Sequence, residues 1–269
     1  MKKQKLASFS LLTVLGVSMI GSQSVYAVKV AETKSIGSVN FVESSKLDPT
    51  PVDPTDPTKP IEPGGNGEGQ GTSGTLRFDR VPNLKFASIP VSNEVETVGV
   101  LEEKYTLVDD PGGGLSKEFY AAPTVEISDV RGSNSGWHAK VNLENELFVD
   151  KLDNTSKIKA TITFKTGRVA GYSNQDSSIE QPAAESITLS TVAYTFVNAD
   201  TGAGAYQWGI SYFTGDQGNG EKPKKNYTNT PNEDEAINMS FAPGTKVNIG
   251  AGHVYENTLV WSLFDTPDN

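Results

Sequence analysis

The sequence predicts an all-β fold, a β-sandwich-like single domain with long loops. Short runs rich in Val, Ile, Thr, Tyr and Phe recur along the chain, and clusters of Gly, Pro, Asn and Asp separate them. No stretch keeps a helical period, so a helix, if there is one, lies within residues 173–186. The runs are LRF (76–78), TVEISDV (124–130), HAKVNLENELF (138–148), IKATITF (158–164), SITLSTVAYTF (186–196), YQWGISYF (206–213), INMSFA (237–242) and VYENTLVWSLF (254–264).

The N-terminus has the layout of a secretory signal peptide. A start with three lysines is followed by an apolar run over residues 6–20, which is short for a membrane span, and by a small-residue cleavage pattern at 25–27. We therefore predict a signal peptide over 1–27 and a mature chain that begins at Val28. A short N-terminal segment with an alternating pattern follows, over 28–46.

A spacer is predicted between this segment and the domain. Residues 47–63 contain six prolines and three Asp-Pro-Thr repeats, which favour an extended polyproline II segment reaching on the order of 50 Å. Residues 64–74 are rich in glycine, and such sequences are flexible. We therefore predict a disordered linker over 47–74 and a folded domain over 75–269. A disordered tail with no task of its own is the alternative.

Cysteine content and charge limit the classes of function. The chain has no cysteine, which excludes disulfides, a lipid-carrying cysteine and thiol chemistry. Without the three signal lysines it carries 20 basic against 33 acidic residues, a formal charge of −13. Because phosphate binding needs a basic patch, nucleic acid is not an expected partner. The same sign disfavours attachment to anionic wall polymers by bulk charge, so a protein held at a cell surface needs a specific binding site.

Each of the three tryptophans lies in a predicted strand, where residues two apart share a face. The sets are Trp137 with Ala139, Val141 and Leu143; Trp208 with Tyr206, Ile210 and Tyr212; and Trp261 with Tyr255, Leu259 and Leu263. Since all three faces are apolar, the periodicity favours core packing over a binding surface. The last strand stays open, because Val260 and Phe264 make its reverse face partly apolar as well.

Three stretches resemble WxL domains, the C-terminal domains of secreted surface proteins of low-GC Gram-positive bacteria. The stretch YENTLVWSLFDTP (255–267) resembles their closing signature, VEISDVRGSNSGWHAKV (125–141) their first signature, and GAGAYQWGISYF (202–213) an internal Gly-rich aromatic stretch. The resemblance covers nearly the whole chain in order. It departs at the first signature, where the expected Trp-x-Leu reads Trp137-His138-Ala139.

The resemblance implies non-covalent attachment to the cell wall, with peptidoglycan as the ligand and the Trp-x-Leu motifs needed for retention. It also implies assembly with other WxL-type or membrane-anchored surface proteins. We therefore predict an attachment patch of Trp261, Leu263 and Tyr255, with Trp137 and Trp208 as its partners. The expected location is the cell surface after secretion, without a transmembrane segment. Two alternatives stay open: a protein–protein module for a membrane-anchored partner, and a wall or polysaccharide hydrolase.

Catalytic and metal-binding residue types form no supporting pattern, so we predict no enzymatic activity, metal or cofactor. The two histidines, His138 and His253, lie in a polar strand face and in a turn. No Gly-x-Ser-x-Gly stretch supports a nucleophilic serine. With 33 acidic residues, carboxylate pairs arise easily by chance, and a calcium ion on an acidic loop stays open.

Asp129 and Arg131 stand two residues apart in the run that precedes Trp137. In a strand, this spacing puts both side chains on one face. We interpret them as an ion pair that fixes the turn before Trp137, a structural role, rather than as ligand contacts.

Overall fold

The computed structural model describes residues 33, 36–40, 42, 44–62, 71–108, 117–172, 178–215 and 221–268, so the predicted signal peptide lies outside the described residues. The chain divides into two compact units, 1–41 and 42–269, and the described strands all lie in the second. Within the described residues there are nineteen strands and no helix. They are β1 (Val52–Asp53), β2 (Asp56–Pro60), β3 (Leu76–Arg80), β4 (Glu96–Leu101), β5 (Glu103–Thr106), β6 (Glu118–Ala121), β7 (Thr124–Asp129), β8 (Trp137–Leu143), β9 (Phe148–Asp150), β10 (Lys157–Ile158), β11 (Ala160–Phe164), β12 (Arg168–Gly171), β13 (Ala183–Ala184), β14 (Ile187–Thr188), β15 (Tyr194–Ala199), β16 (Tyr206–Ser211), β17 (Glu233–Phe241), β18 (Tyr255–Glu256) and β19 (Leu259–Phe264).

Three four-stranded antiparallel sheets form the body of the second unit. Their strand orders are β14-β11-β17-β4, β12-β16-β7-β3 and β13-β15-β8-β19. We call the last of these the tryptophan sheet, because it carries Trp137 on β8 and Trp261 on β19. A smaller sheet of order β10-β9-β18 and two hairpins, β1-β2 and β5-β6, complete the described topology. In the tryptophan sheet β8 is central and β19 is at the edge.

One hydrophobic core receives side chains from all three large sheets. Trp137 and Val141 of β8 are fully buried in it, together with Phe164 of β11 and Ile127 of β7. These side chains reach the core because a strand directs alternate residues to one face. Fully burying an aromatic side chain removes about 150–250 Å² from water, so the large inward residues dominate the stability of this fold.

The all-β prediction is confirmed, and each of the eight predicted runs contains a strand. The run at 138–148 is divided between β8 and β9. The described part of 173–186 contains β13 and no helix. Apart from β1 and β2, five strands lie outside the eight predicted runs, namely β4, β5, β6, β12 and β13. Glutamate, lysine, glycine and alanine in these strands lower the β propensity.

Residues 47–62 differ from the extended segment that their prolines predict. They contain the hairpin of β1 and β2, in which the Asp53-Pro54-Thr55 repeat makes the turn while the next repeat begins β2. The Asp53 carboxylate accepts hydrogen bonds from the amide and the hydroxyl of Thr55, at 2.9 and 2.7 Å. Asp56 accepts the corresponding bonds from Thr58. An aspartate that bonds the backbone two residues on makes an Asx turn, which bends the chain where proline alone would extend it.

Buried carboxylates of the domain hold this hairpin segment. Asp79 and Glu126 each accept a backbone N–H of the segment, at 2.9 Å. Asp53 is itself fully buried and pairs with the Lys225 ammonium at 2.6 Å. Burying a carboxylate without partners is costly, so these contacts fix the segment firmly. The expectation of an extended, disordered spacer is therefore wrong for residues 47–62, while residues 63–70 lie outside the described part.

Candidate functional site

The intact Trp-x-Leu motif lies on β19, at the edge of the tryptophan sheet. Among the described strands β19 pairs with β8 alone, and Trp261 stands opposite Val141 while Leu263 stands opposite Ala139. An edge strand leaves one row of backbone N–H and C=O groups without a strand partner. The motif is therefore anchored to the core sheet on one side and open on the other.

Trp261 is half-buried. Its indole meets the ring of Phe196 edge-on, at a centroid distance of 5.3 Å, and lies 6.2 Å from the ring of Phe164. Leu259 and Leu263 also pack against the core without being fully buried. The inward face of β19 thus supports the core and still presents side-chain surface to the outside.

A cavity of about 1190 Å³ opens beside Trp261. Its inner wall is apolar and includes Phe148, Ile162 and Met239. Residues 81–98 and 242–258 supply much of the remaining wall. At its mouth stand exposed apolar side chains, namely Val91, Leu147, Ile249 and Val254. A concave, mostly apolar site of this kind is the ordinary form of a ligand-binding site.

A second opening, a cleft of about 570 Å³, also borders the motif. Trp261, Leu263 and Phe264 line it from β19, and Leu76 and Phe78 line it from β3. Since β3 and β19 are edge strands of different sheets, the cleft is a gap between two sheet edges. Trp261 borders both the cavity and the cleft, which makes it the residue that joins the two openings.

Tyr255 lies on β18 and lines the cavity. Its hydroxyl is hydrogen-bonded to the Ser156 hydroxyl at 2.6 Å and accepts the Asn248 backbone N–H at 2.7 Å. Nearby, the His253 Nδ1 donates to the Asp150 carboxylate at 2.7 Å. These bonds fix the loop before β19, and with it the ring of Tyr255 in the cavity wall.

Trp137 and Trp208 lie in the core rather than on the surface. Trp137 is fully buried and donates its Nε1–H to the Gly204 carbonyl at 2.9 Å, and Trp208 donates to the Ala205 carbonyl at 2.8 Å. Gly204 has a φ of 73°, and a Cβ there would lie 2.6 Å from Trp137 Nε1. The Gly-rich stretch 202–205 therefore lets the backbone approach the indole closely.

Ala139, the departure from Trp-x-Leu in the first signature, is fully buried. It lies opposite Val197 of β15 on one side and Leu263 of β19 on the other. Larger side chains on both neighbouring strands thus fill the space that a leucine at 139 would occupy. In this chain the first motif packs the sheet, and the leucine of a Trp-x-Leu motif is present only on β19, where Leu263 is half-buried.

The chain after β19 covers the reverse face of the tryptophan sheet. The ring of Phe264 stacks on His138 at a centroid distance of 4.5 Å. The His138 Nδ1 donates to the Thr266 carbonyl at 2.6 Å, and Lys140 pairs with Asp268 at 3.2 Å. On the reverse face of the last strand, which the sequence leaves unassigned, this packing accounts for Phe264, while Val260 stays exposed.

Asp129 and Arg131 join the start of β8 to the end of the chain. The Arg131 guanidinium donates to both Asp129 carboxylate oxygens, at 2.9 and 2.7 Å. It also donates to the carbonyls of Gly136 and Asp265, at 2.8 and 3.0 Å. The hydrogen bonds to Asp129 hold the pKa of the guanidinium above its usual value. One cation thus links the turn before Trp137 with the residue that follows β19.

Two cavity residues, Phe86 and Phe241, have no signal in the sequence that links them to Trp261. Phe86 lies in a loop and Phe241 at the end of β17, so only the folded arrangement brings them to the cavity that Trp261 lines. Among the described residues, no group of three or more His, Asp or Glu side chains is arranged to hold a metal ion. In the same part of the chain, no helix is long and apolar enough to cross a membrane.

Comparison with known proteins gives one finding about the family. The family described as "WxL domain surface cell wall-binding" matches residues 28–267, nearly the whole chain. No curated protein matches the chain. The match confirms the family that the sequence resembles, and its range includes all three of the stretches on which the resemblance rests. The chain belongs to the WxL family of cell-surface, cell wall-binding domains.

Proposed function

We propose that the chain is a secreted surface protein that attaches non-covalently to peptidoglycan through the attachment patch, and that it serves as an adhesion or scaffold component without catalysis. Trp261 carries the proposal, because it is half-buried, lies on an edge strand and borders both openings. Leu263 lines the cleft and Tyr255 the cavity. Trp137 and Trp208 support the patch from the core rather than touching the ligand.

The direct test is sedimentation of the mature chain, residues 28–269, with purified cell-wall sacculi. We expect wild-type protein in the pellet and the Trp261→Ala variant in the supernatant. Tyr194→Ala is the matched control, since Tyr194 is a 43% exposed aromatic residue of the same sheet and lines neither opening. Absence of wild-type co-sedimentation would rule out wall binding by this chain alone.

A second candidate is strand addition by a partner protein, which the open edge of β19 favours. A partner strand could pair with the backbone groups that β8 does not use, and alternate side chains could enter the cleft. Wall retention would then be indirect. Comparing retention on bare sacculi with retention on intact envelopes separates the two functions, because only the indirect mode needs the envelope proteins.

A separate assay tests the proposal that the protein does not hydrolyse the wall. Mature protein is incubated with sacculi or wall polysaccharide, and released sugars are measured. Release above the level of a heat-denatured sample would replace the binding function by that of a hydrolase.

A further inference from the structure

The cavity beside Trp261 has a chemical character that discriminates between the parts of a wall polymer. Peptidoglycan consists of N-acetylated sugar strands and of peptide stems, which carry carboxylates and ammonium groups. Sugar rings present apolar C–H faces and neutral hydroxyl and amide groups, whereas the stems present charges. A site that binds the sugar rings therefore needs different side chains from a site that binds the charged stems.

The wall of the cavity is rich in rings and in aliphatic surface. Its aromatic side chains are Phe86, Phe148, Phe241, Tyr255 and Trp261. Flat aromatic faces are suited to the C–H faces of sugar rings, since both are apolar and rigid. The exposed aliphatic residues at the mouth, Ile249 at 75% and Val91 at 63% exposure, extend this surface to the entrance.

The polar groups at the cavity are mostly neutral. Amide and hydroxyl side chains line it, among them Asn83, Asn145, Ser88 and Thr258. Such groups hydrogen-bond hydroxyls and acetamido groups without needing a charge on the ligand.

The acidic, basic and histidine side chains at the cavity are all at least partly exposed, and two already have partners. His253 is bonded to Asp150, and Glu256 pairs with Lys151 at 3.1 Å. Lys85, Glu94 and Glu96 complete the charged lining. Moving a charged stem into an apolar cavity would cost several kcal/mol unless an opposite charge met it there. The wall next to Trp261 supplies aromatic and aliphatic surface instead.

We propose that the cavity beside Trp261 takes the uncharged, N-acetylated sugar units of the wall glycan and excludes the charged peptide stems. This inference rests on the proposed wall binding and names the part of the polymer that the site recognises. The cavity, at about 1190 Å³, is large enough for more than one sugar ring.

Competition on sacculi tests the inference with two soluble probes. We expect an oligosaccharide of N-acetylglucosamine to displace the bound mature chain, and a synthetic stem pentapeptide to leave it bound. Displacement by the pentapeptide alone, or by neither probe, overturns the inference while wall binding stands. Failure of the wild type to bind sacculi at all overturns the wall-binding function as well, so the two failures are distinguishable.

Opposite charges at the mouth give a second test that does not depend on the probes. Ile249→Asp and Ile249→Lys each place a charge where an uncharged ligand enters, so both should weaken sacculus binding by a similar factor, about fivefold. If the ligand were a charged stem, the two substitutions would change the affinity in opposite directions, and one variant would bind more tightly while the other bound less tightly. Opposite signs overturn the inference. The matched controls are Val192→Asp and Val192→Lys, because Val192 is 61% exposed and lies outside the cavity lining.

Discussion

The two tryptophans of the tryptophan sheet lie in neighbouring, paired strands but in different environments. Trp137 is fully buried on β8, with strands on both sides and its Nε1–H bonded to Gly204. Trp261 is half-buried on β19, with a strand on one side and two openings beside it. The difference shows that the position of a strand within its sheet, central or edge, decides whether its tryptophan is enclosed by the core or borders open space.

Removal of the buried indole of Trp137 should have the largest effect on the free energy of unfolding. Trp137→Ala deletes a fully buried aromatic side chain and leaves both a cavity and an unpaired Gly204 carbonyl. We expect the free energy of unfolding to fall by about 3–5 kcal/mol, measured by denaturant titration. Wall retention should fall only as far as the protein unfolds. A folded variant of wild-type stability that fails to bind would contradict the assignment of Trp137 to the core.

Glu126, a buried carboxyl group on β7 that lines neither opening, offers a test of stability that is separate from binding. Burial raises the pKa of Glu126 to about 8, whereas its ordinary value is 4.5. Between about pH 4.5 and about pH 8, the folded state therefore holds more protons than the unfolded state. The contribution of Glu126 to the free energy of unfolding falls as the pH rises through this range.

In the wild type we expect the free energy of unfolding to fall by an amount on the order of 3 kcal/mol between pH 5 and pH 8 because of Glu126. Glu126→Gln should remove this fall, as measured by thermal or denaturant unfolding across the same pH range. The amide oxygen of glutamine can still accept the Val52 N–H. The exposed Glu144→Gln is the control. An unchanged pH profile in the Glu126 variant would show that this carboxylate is not the source, and binding to sacculi should be the same in both variants.

Restoring the family pattern Trp-x-Leu at the first motif should destabilise this protein. Ala139→Leu adds volume at a fully buried position between Val197 and Leu263, and overpacking costs about 1–3 kcal/mol. Leu263→Ala in the same chain should recover part of the loss, because the two positions face each other. Additive losses in the double variant would show that the two side chains do not share one space.

The smallest effect on stability and the largest on binding are expected at Trp261. Trp261→Ala removes a half-buried ring and its contact with Phe196, for which we expect a loss of about 1–2 kcal/mol. Sacculus binding should fall at least tenfold while the protein stays folded. Retention at the wild-type level in the folded variant would remove Trp261 from the attachment patch. Trp137 and Trp261 would then differ in burial but not in binding.

Local rules account for much of the fold. Alternation identified the strands that contain all three tryptophans, because a half-buried strand must place apolar residues on one face. The same rules did not predict the hairpin in residues 47–62. There the Asx turn of Asp53 and the distant carboxyl groups of Asp79 and Glu126 act against the extended preference of proline.

The site was less accessible to prediction than the strands. The motif residues Trp261, Leu263 and Tyr255 are visible in the sequence, but their two openings are not. Phe86 and Phe241 belong to a loop and to the end of β17, and neither has a spacing that links it to Trp261. Such groups are brought together by sheet packing, which single-chain periodicity does not encode.

The sequence by itself determined the all-β class, the inward faces of the strands and the family, because these depend on local alternation and on ordered signature stretches. Only the tertiary structure decided which tryptophan is enclosed and which borders open space. Burial depends on how many strands flank a given strand and on what packs over it. Trp137 and Trp261 have the same local pattern, and the place of β19 at the sheet edge gives the two side chains different environments.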